Sequence, residues 1–348
     1  MRTVMVTGGC GFIGSNFIHY LLKNCDVKVV NFDALTYAGN LENLRDVEQD
    51  KRYAFIKGDI ADAAQVSGAL ERFEVDSIVN FAAETHVDRS ILTPDAFMSA
   101  NVMGTQRLLE CARVYWSLAP GDKNCRDYRP GVRYIQVSTD EVYGSLGMEG
   151  KFCEDSPIAP NSPYAASKAG GDLFVRAYCE TFGLPAVVTR CSNNFGPYQF
   201  PEKLIPLIIY NALHHREIPV YGDGRQVRNW LYVEDHCSAL CRVMREGTIG
   251  EVYNIGGDTE ESNLNVVRTV LRMLDRPESL IRFVADRPGH DRRYAMDYTK
   301  LRGHTGWSPL YSFEKGLERT VQWYLANERW LETAADQEFQ TYCKMMYT

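Results

Sequence analysis

A glycine-rich turn near the start of the chain constrains the fold more than any other feature. Three glycines define it at regular spacing: Gly8, Gly11 and Gly14. The apolar run Thr3–Thr7 precedes the turn, and the helical pattern Gly14–Lys23 follows it. In such a pattern the first glycine permits a tight turn, the second lets the backbone approach a pyrophosphate, and the third allows close helix–strand packing. The segment therefore predicts a strand–turn–helix unit that holds phosphates at the helix N-terminus.

The first half of the chain alternates short β-rich runs with amphipathic stretches. The candidate strands are Thr3–Thr7, Lys28–Asp33, Tyr53–Lys57, Ser77–Phe81, Tyr134–Ser138 and Ala186–Arg190. The candidate helices are Gly14–Lys23, Ala64–Phe73, Asn101–Tyr115 and Tyr164–Thr181. Strict alternation of this kind predicts an α/β fold with a doubly wound parallel sheet, a Rossmann fold, and right-handed crossovers.

The alternation stops near residue 193, where prolines and a Gly-Asp-Gly turn interrupt the pattern. Two later segments, Tyr232–Glu246 and Glu251–Ile255, resemble a helix and a strand that rejoin the first domain. We therefore expect a nucleotide-binding domain and a smaller, discontinuous C-terminal substrate lobe. The first would comprise residues 1–192, roughly 229–258 and 307–330, and the second residues 193–228 and 259–306.

Composition excludes several classes of partner. The net charge of −7 argues against a nucleic-acid backbone as the main partner. No apolar stretch approaches the length of a membrane span, and we expect no secretory signal before the first strand. The ten cysteines lack the spacing of a metal site, so we expect reduced thiols, no metal and a cytoplasmic location.

A carboxylate at the end of the second candidate strand indicates which cofactor is bound. Asp33 lies about 20 residues after Gly14, the spacing of a ribose-binding acid. It would accept hydrogen bonds from ribose hydroxyls and repel a 2′-phosphate, and Ala34–Thr36 carries no cation, so NAD is favoured over NADP. Asp59 and Ala82–Ala83 follow the next two strands and are placed to meet the cofactor, although Asp59 could be a simple loop carboxylate.

Two groups of polar residues predict the chemistry. Tyr164 and Lys168 are four positions apart, so they lie on one helix face, where a lysine ammonium favours the phenolate of a tyrosine. Thr139, Asp140 and Glu141 follow the fifth strand, and two adjacent carboxyls can divide acid and base roles. The simpler interpretations are a surface tyrosine with a packing lysine, and an exposed Asp-Glu turn.

These motifs together resemble the extended short-chain dehydrogenase/reductase family. Within it, the run Ser-Thr-Asp-Glu-Val-Tyr-Gly at Ser138–Gly144 is similar to the dTDP-glucose 4,6-dehydratases. The similarity extends over essentially the whole chain, through Phe81–Asp88, Arg190–Asn194, Pro201–Pro206, Arg228–Asp235 and Asp286–Asp291. The sequence departs from the pattern in two places: Thr85 stands where the family often has Ser, and Pro120–Gly131 lengthens the loop before the fifth strand, which we expect at the surface.

The resemblance implies a dehydration of dTDP-glucose to dTDP-4-keto-6-deoxyglucose. Tyr164 would take the proton of the 4-hydroxyl while hydride passes from C4 to NAD. Glu141 would then remove the proton on C5, and Asp140 would protonate the departing 6-hydroxyl. The hydride finally returns to C6, so NAD is regenerated in each turnover.

The resemblance also implies which residues bind the ligands. For NAD these are Gly8, Gly11, Phe12, Ile13, Gly14, Asp33, Leu35, Thr36, Asp59, Ile60, Ala82, Ala83, Thr85, Tyr164 and Lys168. For the sugar nucleotide they are Thr85, Thr139, Asn193, Lys203, Leu204, Pro219, Tyr221, Arg228, Asn263, Arg287 and His290. Tyr221 is placed to stack on the base, although it could equally be a core residue.

A homodimer is a further expectation from the same resemblance. Asn101–Tyr115 and Tyr164–Thr181 carry apolar residues at helical spacing: Leu108, Leu109, Phe174 and Tyr178. Two such helices from each subunit would form a four-helix interface. The alternative is that these faces only cover the chain's own sheet.

Three other functions remain open at this point. UDP-glucose differs from dTDP-glucose in its base by one methyl, which is worth only about 1–3 kcal/mol in a pocket. A sugar-nucleotide 4-epimerase or decarboxylase would use the same scaffold but has no need of Asp140 and Glu141. A non-catalytic NAD-binding regulator would not require the full set of chemical groups.

Overall fold

The alternating units of the first half form a seven-stranded parallel sheet in the computed structural model, which describes residues 2–336 and 339–341. The strands of the chain are β1 (Arg2–Thr7), β2 (Val27–Asp33), β3 (Tyr53–Lys57), β4 (Ser77–Asn80), β5 (Arg133–Thr139), β6 (Ala186–Cys191), β7 (Asn193–Phe195), β8 (Ile218–Tyr221), β9 (Val227–Tyr232), β10 (Val252–Ile255), β11 (Thr259–Ser262) and β12 (Ile281–Val284). The order in the large sheet is β10-β6-β5-β4-β1-β2-β3, with every pair parallel. The predicted doubly wound sheet is confirmed.

Twelve α-helices connect or cover these strands in the described part of the chain. They are α1 (Phe12–Asn24), α2 (Ala63–Arg72), α3 (Val87–Leu92), α4 (Pro94–Phe97), α5 (Thr105–Trp116), α6 (Pro163–Phe182), α7 (Leu204–Leu213), α8 (Val233–Glu246), α9 (Asn263–Met273), α10 (Thr299–Thr305), α11 (Phe313–Ala326) and α12 (Glu328–Ala334). No helix in residues 2–336 or 339–341 is both long and apolar enough to cross a membrane.

The large sheet is buried on both faces, which explains its almost continuous apolar strands. On one face it packs with α1 and α8 around Phe17, Ile18 and Leu240. On the other it packs with α2, α5 and α6 around Leu108 and Val175. Because the strand order reverses between β1 and β4, a crevice opens at the carboxyl ends of these strands, where ligands bind in such folds.

The smaller lobe is built from two short sheets. The strands β11, β9 and β7 form one sheet, and β12 and β8 form the other. Helices α7, α9 and α11 pack with them in an apolar cluster that includes Phe195, Ile208, Val267 and Leu317. The division of the chain into two domains stays a prediction. One part of it disagrees with this packing, because α11, which we expected in the nucleotide-binding domain, contributes its buried face to the small-lobe cluster.

The helix predicted over residues 101–115 differs in detail from the observed structure. A π-type turn, Met98–Gly104, leads into α5, and α4 begins at Pro94. The expectation that Leu108, Leu109 and Tyr178 face a partner is wrong, because these side chains are buried in the chain's own core beneath the sheet. The stretch of residues 120–131 lies largely exposed at the surface, as expected.

Candidate active site

A cavity of about 500 Å³ opens at the carboxyl ends of β1, β2, β4 and β5. It brings together nineteen of the residues predicted to bind ligands or carry chemistry. They are Gly8, Gly11, Phe12, Ile13, Gly14, Asp33, Thr36, Asp59, Ile60, Ala82, Ala83, Thr85, Thr139, Asp140, Glu141, Tyr164, Lys168, Asn193 and Lys203. Residues at the ends of all six strands β1 to β6, or following them, therefore converge on one crevice.

The glycine turn at one end of the cavity is required by the backbone itself. Gly8 has φ +66°, and a Cβ there would lie 2.7 Å from the amide nitrogen of Ala82. A Cβ on Gly14 would lie 2.3 Å from the carbonyl oxygen of Gly8. Gly11 is less crowded, with that same oxygen 3.3 Å away. No side chain caps α1, so its first N–H groups are available to an anionic ligand.

Asp33 is held rigidly at the end of β2. Its Oδ2 accepts a hydrogen bond from the backbone N–H of Cys10 at 2.8 Å, and its Oδ1 accepts one from the N–H of Leu35 at 2.7 Å. Leu35 does not line the cavity; its contribution is this backbone bond, made from a left-handed conformation with φ 55°. Burial raises the pKa of Asp33, and the two backbone bonds oppose the rise. The carboxylate is thus fixed where a ribose can reach it.

Tyr164 and Lys168 enter the cavity from the first turns of α6. The helix begins at Pro163, and the Ser162 hydroxyl accepts a hydrogen bond from the N–H of Ala165 at 3.1 Å. The Lys168 Nζ donates to the carbonyl oxygen of Val137 at 2.7 Å. Both side chains are buried, which fixes their positions relative to β5.

The electrostatics of this pair differ from the simple expectation. Burial raises the pKa of Tyr164 well above its ordinary value, and the nearby Glu141, Cys191 and Asp140 add to the rise. Burial also lowers the pKa of Lys168. The protein alone therefore does not make Tyr164 a phenolate, and a positively charged ligand is needed to complete its activation.

Asp140 and Glu141 lie in a tight turn directly after β5. Thr139 organises it: its Oγ donates to Asp140 Oδ1 at 3.0 Å and accepts from the N–H of Glu141 at 3.2 Å. Burial, followed by the charge of Glu141, raises the pKa of Asp140 to about 7. An exposed turn pair is excluded, since Asp140 is fully enclosed.

Glu141 differs from its neighbour because it is only partly buried and faces cations. Burial raises the pKa of Glu141, but Arg287, Arg228 and Lys203 all oppose the rise. Asp140 can therefore hold a proton at neutral pH, while the three cations favour the ionised form of Glu141. The two carboxyls are separated into a proton donor and a proton acceptor, which is the arrangement that acid–base catalysis needs.

The arginines predicted to bind the substrate lie on the small lobe, outside the cavity lining. The guanidinium of Arg228 lies 4.4 Å from the ring centre of Tyr294 and donates to the carbonyl oxygen of Asp291 at 3.0 Å. Arg287 donates to Asp88 Oδ1 at 3.4 Å. The positive charges of both arginines oppose the rise in the pKa of Glu141, so their guanidinium groups face the turn that carries Asp140 and Glu141.

The other predicted substrate residues are also outside the cavity lining. The Tyr221 hydroxyl donates to Asp88 Oδ2 at 3.1 Å, and its ring packs edge-on to His290, 6.0 Å between centres. Leu204 packs against the small-lobe cluster, Pro219 lies in β8, and Asn263 begins α9. The structure gives these three no contact with the cavity.

Sequence reasoning did not single out three buried acids near the site. Asp88 accepts hydrogen bonds from the Tyr221 hydroxyl and the Arg287 guanidinium, both of which belong to the small lobe. Glu202 lines the cavity and accepts from the Tyr37 hydroxyl at 2.8 Å. Asp172 lies on α6 beyond Lys168. The hydrogen-bond partners of Asp88 and Glu202 are distant in the chain, so no local sequence pattern indicates these two acids. Asp172 could have been found, because it lies four positions after Lys168 on the same predicted helix.

The fold and site together define a class: an extended short-chain dehydrogenase/reductase, with the glycine turn on β1 and the Tyr/Lys pair on α6 at one crevice. A family model described as GDP-mannose 4,6 dehydratase matches residues 5–320. The dTDP-glucose 4,6-dehydratase of Xanthomonas campestris pv. campestris strain B100 is 51% identical over 349 residues, covering 98% of each chain. The corresponding protein of Neisseria meningitidis serogroup B is 49% identical, again over 98% of each chain. The chain belongs to the dTDP-glucose 4,6-dehydratase family.

Solved structures agree with this assignment. A dTDP-glucose 4,6-dehydratase from Bacillus anthracis, in complex with NAD, is 47% identical, with a TM-score of 0.86 over 96% of this chain and 100% of that one. A UDP-glucose 4-epimerase from Thermus thermophilus, also with NAD, is 28% identical, with a TM-score of 0.83 over 94% of this chain and 100% of that one. The scaffold is thus shared between dehydratases and epimerases, and the residues of the site have to separate them.

Proposed function

We propose that this protein is an NAD-dependent dTDP-glucose 4,6-dehydratase, a hydro-lyase that forms dTDP-4-keto-6-deoxyglucose. One observation carries the proposal: Asp140, with a pKa of about 7, stands beside the partly exposed Glu141 in the cavity that holds Tyr164 and Lys168. The relatives named above support it.

The residues at the glycine turn fit NAD. Gly11 leaves backbone room for a pyrophosphate, the uncapped start of α1 offers N–H groups, and the anchored Asp33 suits a ribose without a 2′-phosphate. When bound, NAD supplies the hydride acceptor for C4 and the donor for C6.

The chain's own residues move the protons. Tyr164 takes the proton of the 4-hydroxyl, aided by the Lys168 ammonium and by a hydrogen bond between the Thr139 hydroxyl and the sugar. The resulting ketone acidifies the proton on C5, which the ionised Glu141 removes. Asp140, protonated at neutral pH, donates to the 6-hydroxyl as it leaves. Burial favours the protonated form of Asp140 that the elimination needs, whereas Tyr164, whose pKa burial raises, depends on the Lys168 ammonium and on the positive charge of the bound cofactor to act as a base.

The small lobe is suited to hold the nucleotide. Arg228 is buried and Arg287 half-buried, and both carry forked donors, which suit a diphosphate. Their positive charge also opposes the pKa rise of Glu141, so substrate binding and base strength are linked. The Tyr221 ring is fixed by its bond to Asp88, which supports a role in stacking on the base.

A 4-epimerase is the second candidate, because the related epimerase structure has the same fold. Epimerisation needs only reversible oxidation at C4 and no proton donor for C6. A buried carboxyl with a raised pKa beside a second carboxyl that faces cations is then unexplained, so the dehydratase is favoured.

Incubation of the purified, NAD-loaded protein with dTDP-glucose tests the proposal. We expect loss of one water by mass spectrometry and the alkaline absorbance of a 4-keto sugar, with no added reductant or oxidant. A parallel incubation with UDP-glucose measures the base preference. Release of a C4 epimer without dehydration, or no turnover of either substrate, would overturn the proposed function.

We further propose a homodimer through α5 and α6 of each subunit, in the cytoplasm. Three apolar side chains on this side of the molecule are exposed in the single chain: Met103 (56%), Leu173 (53%) and Phe174 (39%). Burying them against a second copy would stabilise the assembly. Light scattering should give twice the monomer mass, and Leu173→Glu should shift it towards the monomer. A monomeric wild-type protein at micromolar concentration contradicts the dimer but leaves the proposed reaction untouched.

A further inference from the structure

We propose that Asp172 is a positioning residue for the Tyr164–Lys168 pair, whose carboxylate keeps the Lys168 side chain charged and in place in the cavity wall. The inference rests on the proposed function, because it concerns the base for the 4-hydroxyl. Asp172 itself does not line the cavity and would not touch the substrate.

The three residues form a row on one face of α6. Tyr164, Lys168 and Asp172 follow one another at intervals of four, which places their side chains along one side of the helix. Their exposed fractions fall along the row, from 8% to 5% to 3%. Asp172 thus lies one helical turn beyond the lysine as seen from the cavity, and its side chain is buried.

Lys168 needs a carboxylate there because its other neighbours carry no negative charge. Its Nζ donates to the carbonyl of Val137 on β5. The Cys191 thiol on β6 is also near, but burial raises its pKa to about 12, so it stays neutral. Burial lowers the pKa of Lys168, and Asp172 is the principal group that opposes this. Asp140 and Glu141, after β5, act on Tyr164 instead.

One oxygen of Asp172 is paired with an arginine, which favours the ionised form of the carboxyl. Arg190 Nε donates to Oδ2 at 3.0 Å, and Arg190 NH1 donates to the Tyr143 hydroxyl at 2.9 Å. Burial raises the pKa of Asp172, while Arg190, Lys168 and Ser138 oppose the rise. The second oxygen, Oδ1, is buried without a hydrogen-bond partner in residues 2–336.

A purely structural role and a positioning role predict different results. If Asp172 only satisfies Arg190, its loss destabilises the protein without moving any titration in the cavity. If it sustains the charge of Lys168, its loss makes the lysine deprotonate at lower pH and the Tyr164 phenolate form at higher pH. The pKa values of the two groups then move further apart.

The test compares Asp172→Asn with the double variant Asp172→Asn/Arg190→Gln, which removes both charges of the buried pair. The NAD-loaded proteins are given dTDP-glucose in single turnovers, and the rate of C4 oxidation is followed over pH. In Asp172→Asn we expect the alkaline fall of the oxidation rate to begin about one pH unit lower than in the wild type. At pH values above that point the rate should be roughly tenfold lower, while KM should change little. The double variant should keep this shift, and Asp172→Glu should restore much of the wild-type profile.

Ionisation of Tyr164 is measured separately in a pH titration without substrate. The part of the tyrosinate absorbance that is lost in Tyr164→Phe belongs to Tyr164. In Asp172→Asn its midpoint should rise. A wild-type midpoint in that variant, or a double variant with a wild-type pH profile, would show that Asp172 serves only Arg190. If the wild-type protein does not dehydrate dTDP-glucose but the tyrosinate midpoint still moves, the proposed function fails and the role of Asp172 stands.

Discussion

Replacing Asp140 with Asn should separate oxidation of the sugar from its dehydration. Asp140 is 2% exposed, and its Oδ2 is buried without a hydrogen-bond partner in the described part of the chain. Asn keeps nearly the same shape but has no acidic proton to give to the 6-hydroxyl. Tyr164 and Lys168 are unchanged, so oxidation at C4 should proceed and the reduced cofactor should accumulate.

The expected magnitude follows from the protonation of Asp140. An ordinary aspartic acid, with a pKa near 4, carries a proton in only about one molecule in a thousand at pH 7. With a pKa of about 7, Asp140 is protonated about half of the time. Burial thus enlarges the population of the donor by roughly 10³, in line with the 10²–10⁴-fold that general acid catalysis typically contributes. We expect elimination to slow by about that factor. In the wild type, elimination should decline as pH rises above 7, because the donor loses its proton.

A single-turnover assay checks this prediction. Enzyme in excess over dTDP-glucose is followed by the absorbance of reduced cofactor and by quenched samples analysed for the 4-keto-6-deoxy product. Asp140→Asn should hold the reduced cofactor for longer, Glu141→Gln should do so by removing the base, and Tyr164→Phe should form almost none. If both carboxyl variants dehydrate at the wild-type rate, the two residues are only a turn pair and the epimerase interpretation returns.

The remaining predictions concern stability and the cofactor. Folding raises the pKa of Asp140 to about 7, so the folded protein loses stability as the pH rises from about 4 to 7. Above pH 7 the ionised carboxylate lowers the free energy of unfolding by up to about 4 kcal/mol, and below about pH 4 it has no effect. Asp140→Asn should therefore raise the melting temperature at pH 8 but not at pH 4, and a lower value at pH 8 would contradict the reasoning. Gly11→Ala should fold yet bind NAD at least about tenfold more weakly in a titration. Its control is Gly68→Ala, at a helical position where a Cβ meets nothing within 4 Å. That variant should bind NAD normally, and its free energy of unfolding in denaturant should rise by about 0.5–1 kcal/mol. Asp33→Ala should mainly weaken NAD retention, by about 10- to 100-fold in dialysis, and equal activation of the wild type by NADP would refute the role of Asp33.

The large sheet was predictable because its signals are local. Each predicted strand of the N-terminal half lies within one residue of an observed strand at either end, since apolar runs bounded by turns mark β1 to β6 directly. The strand near residue 252 also joins the sheet beside β6, as expected. The small lobe was less predictable. Its strands are short and pair with partners far away in the chain, as β8 does with β12.

The same distinction holds in the site. Glycine spacing, the Tyr/Lys pair and the Asp-Glu turn are sequence patterns, and the structure brings them to one cavity. The sequence could not indicate that Asp140 is enclosed while Glu141 faces arginines of the other lobe, because that asymmetry depends on tertiary contacts. It also could not distinguish the buried Leu108 from the exposed Leu173, since both lie on apolar helical faces.

The late arrival of β10 has a consequence for synthesis of the chain. Strand β6 is an inner strand of the finished sheet, yet its outer neighbour comes from Val252–Ile255, about 60 residues further on. As the chain leaves the ribosome, β6 is therefore an open edge with unpaired backbone groups until the small-lobe strands β7 to β9 and α8 have followed. During that interval the nascent chain exposes an unpaired strand edge, so this is the stage at which a chaperone would be most useful and misassembly with a second nascent chain most favoured.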